Sequence, residues 1–295
     1  MSKVWFITGS SRGLGRSLTA ALLAKGEQVA ATARRPGQLA ALAAQYPEQL
    51  YSLQLDVTDE AAVNKAVKDA VDHFGKIDVV VNNAGFGITG AAEAFTTGQI
   101  TSQVNTNLYG PIYVTRAALP YLRRQRSGHI LQISSLGGRI GTAGLSIYQA
   151  TKFALVGFSE ALSKEIAPLG IKLTIIEPGG FRTDWAGDSM SFAKEIPDYD
   201  QTVGVRVKWF KDPAQQMAGD PDKAAKAMID VVAHPEPPLH LLLGSDAVGI
   251  LKKVEAARQA EMEKWLPVSL STDHDDVPDF LQSDLGRLIT GSTKV

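Results

Sequence analysis

Tyr148 and Lys152 stand four residues apart in Ser146-Ile147-Tyr148-Gln149-Ala150-Thr151-Lys152, with the serine pair Ser134-Ser135 a short way upstream. Four residues are about one helical turn, so both side chains leave the same face of a helix. An ammonium beside a phenol favours the phenolate and draws a pKa of roughly 10 toward neutrality. Tyr148 is therefore a candidate proton donor near neutral pH. Tyr-x-x-x-Lys also recurs by chance on exposed helices, so the pair gains its weight only beside a nucleotide-binding loop.

Thr8-Gly9-Ser10-Ser11-Arg12-Gly13-Leu14-Gly15 offers such a loop. It follows an apolar run and opens a helical pattern. Glycines there permit a tight turn and let a pyrophosphate approach backbone at a helix N-terminus. That context favours a dinucleotide over a plain turn. A carboxylate ending the second strand would bind the ribose 2′-hydroxyl of NAD, whereas a cation suits the 2′-phosphate of NADP. Thr32-Ala33-Arg34-Arg35 holds no carboxylate, and Arg12 adds a cation from the loop. The expected cofactor is NADP; the plainer reading is that these arginines are merely solvated. Asp56-Val57 would hold adenine, or Asp56 would simply begin the next turn. Asn82-Asn83-Ala84-Gly85 falls at the carboxyl edge of a strand, where open α/β sheets bind ligands.

The elements that must carry these groups alternate. Strands are expected at 4–7, 28–32, 50–55, 77–81, 129–133, 171–176 and 239–243. Helices are expected at 14–24, 38–44, from a cap at Thr58 or Asp59 to about Phe74, then at 98–124, 146–167 and 221–232. Val4-Trp5-Phe6-Ile7 is apolar throughout, as for a strand buried on both faces. Such alternation implies an α/β fold, a doubly wound parallel seven-stranded sheet of Rossmann type in a single domain. The catalytic and dinucleotide-binding domain is expected over residues 1–245. Within it, 184–219 forms a non-repetitive lid, and 246–295 is a C-terminal helical extension and tail.

The chain has 295 residues, 44% hydrophobic and 21% charged, with net charge −1 and a pI near 6.5. That balance gives no reason to expect nucleic acid or acidic membranes as partners. Without cysteine, disulfides, thiolate catalysis and zinc–thiolate sites are excluded. The five histidines (73, 129, 234, 240 and 274) form no ligand-spaced cluster, so no metal is expected. The first apolar run is too short for a signal-peptide core, and no run approaches membrane-spanning length. A cytoplasmic location is expected.

Together these stretches resemble the short-chain dehydrogenase/reductase family, in its Tyr-x-x-x-Lys branch. The matching residues are Thr8-Gly9-x-x-x-Gly13-x-Gly15, Asn82-Asn83-Ala84-Gly85, Ser135 with Tyr148 and Lys152, and Pro178-Gly179 leading to Thr183. Residues 179–185 look like the subgroup near 17β-hydroxysteroid dehydrogenase-like reductases. The resemblance implies a carbonyl reductase or alcohol dehydrogenase. Tyr148 would move the proton at the substrate oxygen, Ser135 would hydrogen-bond the carbonyl, and Lys152 would bind the nicotinamide ribose and lower the tyrosine pKa. Asp56 and Val57 would contact adenine, Asn83 the adjoining ribose, and Thr183 the nicotinamide carboxamide or pyrophosphate. The wider cofactor set is Thr8, Gly9, Ser11, Arg12, Gly13, Leu14, Gly15, Arg34, Ala84, Gly85, Pro178, Gly179 and Phe181, besides those residues.

Asn107 would complete a tetrad by the same resemblance; Asn105 competes, but only Asn107 has a glycine three residues on. Pro111 cannot donate to the Asn107 carbonyl four residues earlier. A kinked helix there could hold a water and relay protons to Lys152, or be an ordinary Gly-Pro kink.

Trp185, Met190, Phe192, Ile196, Trp209, Phe210 and Met217 make the lid apolar, which fits a bulky uncharged substrate or simple packing. Phe86, Ile140, Leu145 and Phe181 are further pocket candidates. Apolar residues at 247, 250, 251, 254 and 257 form a helical stripe, expected to pack on the body. Family resemblance implies a homodimer or homotetramer through the helices beginning near Gly98 and Ser146. A non-catalytic NADP-binding redox sensor is the alternative function. Such relatives typically lack the active tyrosine, which is present here. Sugar-nucleotide epimerases, a third possibility, are generally longer with a differently spaced loop.

Overall fold

A computed structural model describes residues 2–183, 190–212, 217–274 and 280–290. Seven strands form one parallel sheet: β1 (Val4–Ile7), β2 (Gln28–Ala33), β3 (Leu50–Gln54), β4 (Val79–Asn82), β6 (Gly128–Ile133), β7 (Ile171–Pro178) and β9 (His240–Leu243). Their spatial order is β3-β2-β1-β4-β6-β7-β9. The chain leaves β1 toward one edge and returns at β4 toward the other, so a crevice opens where those two strands end. A pair outside this sheet, β5 (Gly87–Thr89) with β8 (Met190–Phe192), is also parallel.

Side chains alternate across each strand, which explains the apolar runs. Trp5 and Ile7 enter one buried cluster with α1 (Gly13–Ala24) and α8 (Pro221–Ala233). Phe6 enters the other, with α3 (Glu60–Phe74), α5 (Gly110–Gln125) and α6 (Ser146–Ile166). Of the two proposed caps for α3, Asp59 is the one used: its carboxylate accepts from Ala62 N at 3.0 Å.

Several boundaries differ from the sequence reading. Strand four begins at Val79 rather than Ile77, and residues 36–39 form a 3₁₀ turn before α2 (Ala40–Gln45). The helix expected over 98–124 is interrupted. α4 (Thr97–Val104) ends in a π-type turn, Asn105–Tyr109, before α5 begins. Gly110 N–H reaches back five residues to the Asn105 carbonyl. Pro111 lacks the N–H that a regular turn would use there, and widening the turn is the structural response. The stretch expected to be irregular carries β8, a wide turn at 200–204 and α7 (Val205–Lys211), anchored by buried Val207. Trp185 lies outside the described residues.

The chain divides into two compact units, Met1–Leu251 and Lys252–Val295. α9 (Ser245–Leu270) starts in the first, where Ala247 and Leu251 are buried. Only part of the proposed apolar stripe is covered: Ile250 and Ala257 are exposed and Val254 half-buried. The second unit holds the rest of α9 and α10 (Asp284–Thr290), so part of the tail is itself helical.

Candidate active site

A cleft of about 580 Å³ lies at the carboxyl edge of the sheet. The loop after β1 supplies Gly9, Ser11, Arg12, Gly13 and Leu14 to its wall, and the ends of β2 and β3 supply Arg34, Asp56 and Val57. From the β4 end come Asn83, Ala84 and Gly85. Ser135, Tyr148, Lys152, Pro178, Gly179, Phe181 and Thr183 complete the lining. Thr8, Gly15 and Asn107 do not line it, and each has a supporting position.

Thr8 is buried and ties β1 to β4: its hydroxyl donates to Val81 O at 3.3 Å and accepts from the N–H groups of Asn83 and Ala84, both at 3.0 Å. Asn83 completes that brace, with Nδ2 donating to Thr8 O at 2.9 Å and Gly9 O at 3.0 Å. A Cβ on Gly15 would stand 2.4 Å from Asn83 Nδ2 and 2.5 Å from Gly9 O. Glycine at 15 is thus a packing necessity beneath the loop. Gly9 adopts φ 69°, a conformation that other residues rarely take. The loop therefore keeps its backbone bare toward the cleft at the start of α1, as a pyrophosphate requires. Among the described residues neither Arg12 nor Arg34 forms an ion pair, so both remain available to a phosphate. Asp56 begins the next turn, accepting from Thr58 N at 2.9 Å and Thr58 Oγ1 at 2.8 Å, and it also lines the cleft.

α6 brings Tyr148 and Lys152 onto one buried face. The Lys152 ammonium donates to Ile133 O at 2.7 Å and lies 5.9 Å from the Tyr148 ring centroid. Burial pushes the Tyr148 phenol up to about 12, against an opposing hydrogen bond with Ser135. Burial brings the Lys152 ammonium down to about 8. The expected draw of lysine on the phenol is not seen: desolvation, opposed by the Ser135 hydrogen bond, sets the direction of the shift. Tyr148 holds its proton at neutral pH as an acid. Ser135 Oγ accepts from Gly137 N at 3.0 Å, while Ser134 is buried and donates toward Lys152 O at 3.4 Å.

Asn107 is fully buried behind the cleft, in the wide turn. Its Nδ2 donates to Phe86 O at 2.9 Å and its Oδ1 accepts from Phe86 N at 3.1 Å. It also reaches Thr151 Oγ1 at 3.3 Å. Asn107 thereby fixes the backbone after Gly85 against α6. A Cβ on Gly85 would come within 3.3 Å of Asn107 Oδ1 and 3.8 Å of Lys152 Nζ.

Of the apolar pocket candidates, Phe86, Phe181, Met190 and Met217 line the cleft. Ile140, Leu145, Phe192, Ile196, Trp209 and Phe210 do not. Ser102, Thr106 and Ser191 line it without any sequence signal that marks them. Ser102 and Thr106 share a helical spacing, but two small polar residues four apart are too common to mark a site.

The fold and this cleft define a dinucleotide-dependent oxidoreductase, and comparison with known proteins agrees. The family described as short chain dehydrogenase matches residues 3–193. Oxidoreductase BOA17 of Botryotinia fuckeliana is 47% identical over 273 residues, spanning 92% of this chain and 100% of that protein. A short-chain dehydrogenase from Streptomyces avermitilis superposes with a TM-score of 0.88 at 40% identity, covering 93% of this chain and 100% of the other. An alcohol dehydrogenase from Thermococcus sibiricus, complexed with 5-hydroxy-NADP, superposes with a TM-score of 0.69 at 25% identity over 82% of this chain and 96% of that one. The chain belongs to the short-chain dehydrogenase/reductase family of oxidoreductases and has its nicotinamide-dinucleotide fold.

Proposed function

We propose that the protein is an NADPH-dependent reductase of ketones or aldehydes, acting reversibly on the corresponding alcohols, with Tyr148 as the proton donor. The observation that carries this is the meeting of Ser135, Tyr148 and Lys152 with the glycine loop on one cleft. When bound, the reduced nicotinamide supplies the hydride. Negative charge develops on the substrate oxygen, where the Tyr148 and Ser135 hydroxyls stabilise it more than they stabilise the neutral carbonyl. Tyr148, protonated at neutral pH, gives its proton to that oxygen. Lys152 binds ribose hydroxyls from the same face of α6.

The preference for NADP rests on Arg12 and Arg34 at the β2 end of the cleft, where β2 ends without a carboxylate. The Thermococcus sibiricus relative, seen with 5-hydroxy-NADP, points the same way. The cleft also presents Phe86, Phe181, Met190 and Met217, which suits a bulky uncharged substrate. Among the described residues no helix is long and apolar enough to cross a membrane, and we read the protein as cytoplasmic. Exposed Tyr109 and Phe153, on the segments expected to form the subunit contact, support a homodimer or homotetramer.

A screen of carbonyls and secondary alcohols with both cofactors tests this reading. It is expected to show consumption of NADPH, in preference to NADH, with at least one apolar ketone or aldehyde. Tight NADPH binding without turnover of any substrate would favour the redox sensor instead.

A further inference from the structure

Glu177, the penultimate residue of β7, is fully buried. A buried carboxylate must be held by the groups around it. Arg139 Nη1 stands 3.4 Å from both Oε1 and Oε2, and His240 Nδ1 lies 3.1 Å from Oε1. The other nitrogen of the same imidazole, Nε2, lies 3.2 Å from Glu160 Oε1. The separations to Arg139 are long for charge-assisted hydrogen bonds, so the hold is chiefly coulombic.

Each member sits on an element that carries part of the cleft or borders it. Glu160 shares α6 with Tyr148 and Lys152. Arg139 ends the 3₁₀ turn that begins immediately after Ser135. Glu177 directly precedes Pro178, whose carbonyl accepts from Ser135 Oγ at 3.5 Å. His240 lies on β9, paired with β7. An apolar cluster would fill this space as stably, but it would not fix direction.

We propose that Glu177 is a positioning residue: by holding Arg139 it fixes the Ser135 turn against the Pro178 edge, and so sets where the Ser135 hydroxyl meets the substrate oxygen. The inference rests on the proposed reaction for its catalytic consequence, but the geometric claim stands by itself. Displacing a catalytic donor by about 1 Å can cost on the order of 100-fold in rate.

The test compares wild type with Glu177→Gln and with the double variant Glu177→Leu/Arg139→Leu, which removes both charges together and retains side-chain bulk. Amide hydrogen exchange over residues 134–140, thermal midpoint, NADPH affinity by fluorescence and turnover of the best carbonyl are measured on each. In folded variants, exchange over 134–140 is expected to accelerate and kcat to fall roughly 10- to 100-fold. NADPH affinity should stay within about threefold, as the dinucleotide loop is untouched. A purely structural pair predicts that kcat recovers wherever the thermal midpoint does, and that result overturns the inference. Wild-type exchange over 134–140 in a folded variant overturns it too, whatever the turnover. Wild-type protein that reduces no carbonyl would strike at the proposed reaction, and the exchange result alone would then decide this one.

Discussion

Lys152 gives its buried ammonium to the carbonyl of Ile133 at 2.7 Å, the last residue of β6 and two residues before Ser135. One bond thus ties α6 to the strand that delivers the serine. Burial has moved Tyr148 and Lys152 in opposite directions, with Lys152 lowered to about 8 and Tyr148 raised to about 12.

These shifts set an alkaline stability profile. The folded Lys152 pKa lies below its ordinary 10.5, so between pH 8 and 10.5 the unfolded chain binds the extra proton. Stability from this group therefore rises with pH across that window, by an amount on the order of 3 kcal/mol. Tyr148 acts oppositely: from 10 to about 12 the folded chain keeps a proton that the unfolded one has lost, so its contribution falls. Lys152→Met should flatten the rise above pH 8, as read by the difference in thermal midpoint between variant and wild type. Parallel profiles for the two proteins would contradict the assignment.

The arginines should sort the cofactors. Neutralising Arg12 and Arg34 together is expected to raise KM for NADPH by about 10-fold or more while changing that for NADH by about threefold at most, since a guanidinium binds the 2′-phosphate through charge-assisted hydrogen bonds that NADH cannot make. Steady-state kinetics with both dinucleotides check this. Equal effects would mean that neither guanidinium reads the 2′-phosphate.

Gly15 offers a test of the loop that substitutes no cleft-lining residue. Gly15→Ala pushes a methyl against Asn83 Nδ2 and the Gly9 carbonyl, both under 3 Å from the added carbon. Overpacking of this kind costs about 1–3 kcal/mol. The thermal midpoint should fall and dinucleotide affinity weaken, measured by calorimetry and fluorescence quenching. An unchanged affinity would show that the loop tolerates displacement.

Much of the fold and the cleft is readable from the chain because its signals are local. The run Val4–Ile7, the glycines at 9, 13 and 15, and the spacing of Tyr148 and Lys152 each state their purpose within a few residues. The parallel sheet with helices on both faces follows from strand–helix alternation. What escapes the sequence depends on distant residues meeting. Nothing near Asn83 says that its amide will brace Thr8 and Gly9, and nothing near Glu177 reveals Arg139 or His240. The Tyr148 pKa departs from expectation for the same reason: burial is set by the whole fold, and sequence shows only the neighbouring charge.

Asn107 divides positioning from relay. Removing its side chain leaves the Phe86 N–H and carbonyl without those partners, a loss of about 1–3 kcal/mol where groups are buried. Asn107→Ala should lower the thermal midpoint by several degrees and cut turnover by roughly 10-fold or more. Near-full turnover would remove Asn107 from the catalytic account.

Tyr148→Phe addresses the central claim most directly, because it deletes one hydroxyl from an otherwise intact buried ring. Turnover of the best carbonyl and NADPH affinity should be measured on one preparation. The account predicts a fall in kcat of about 100-fold or more, with NADPH affinity close to wild type. Reduction at the wild-type rate would show that the proton comes from elsewhere and that Tyr148 is not the acid.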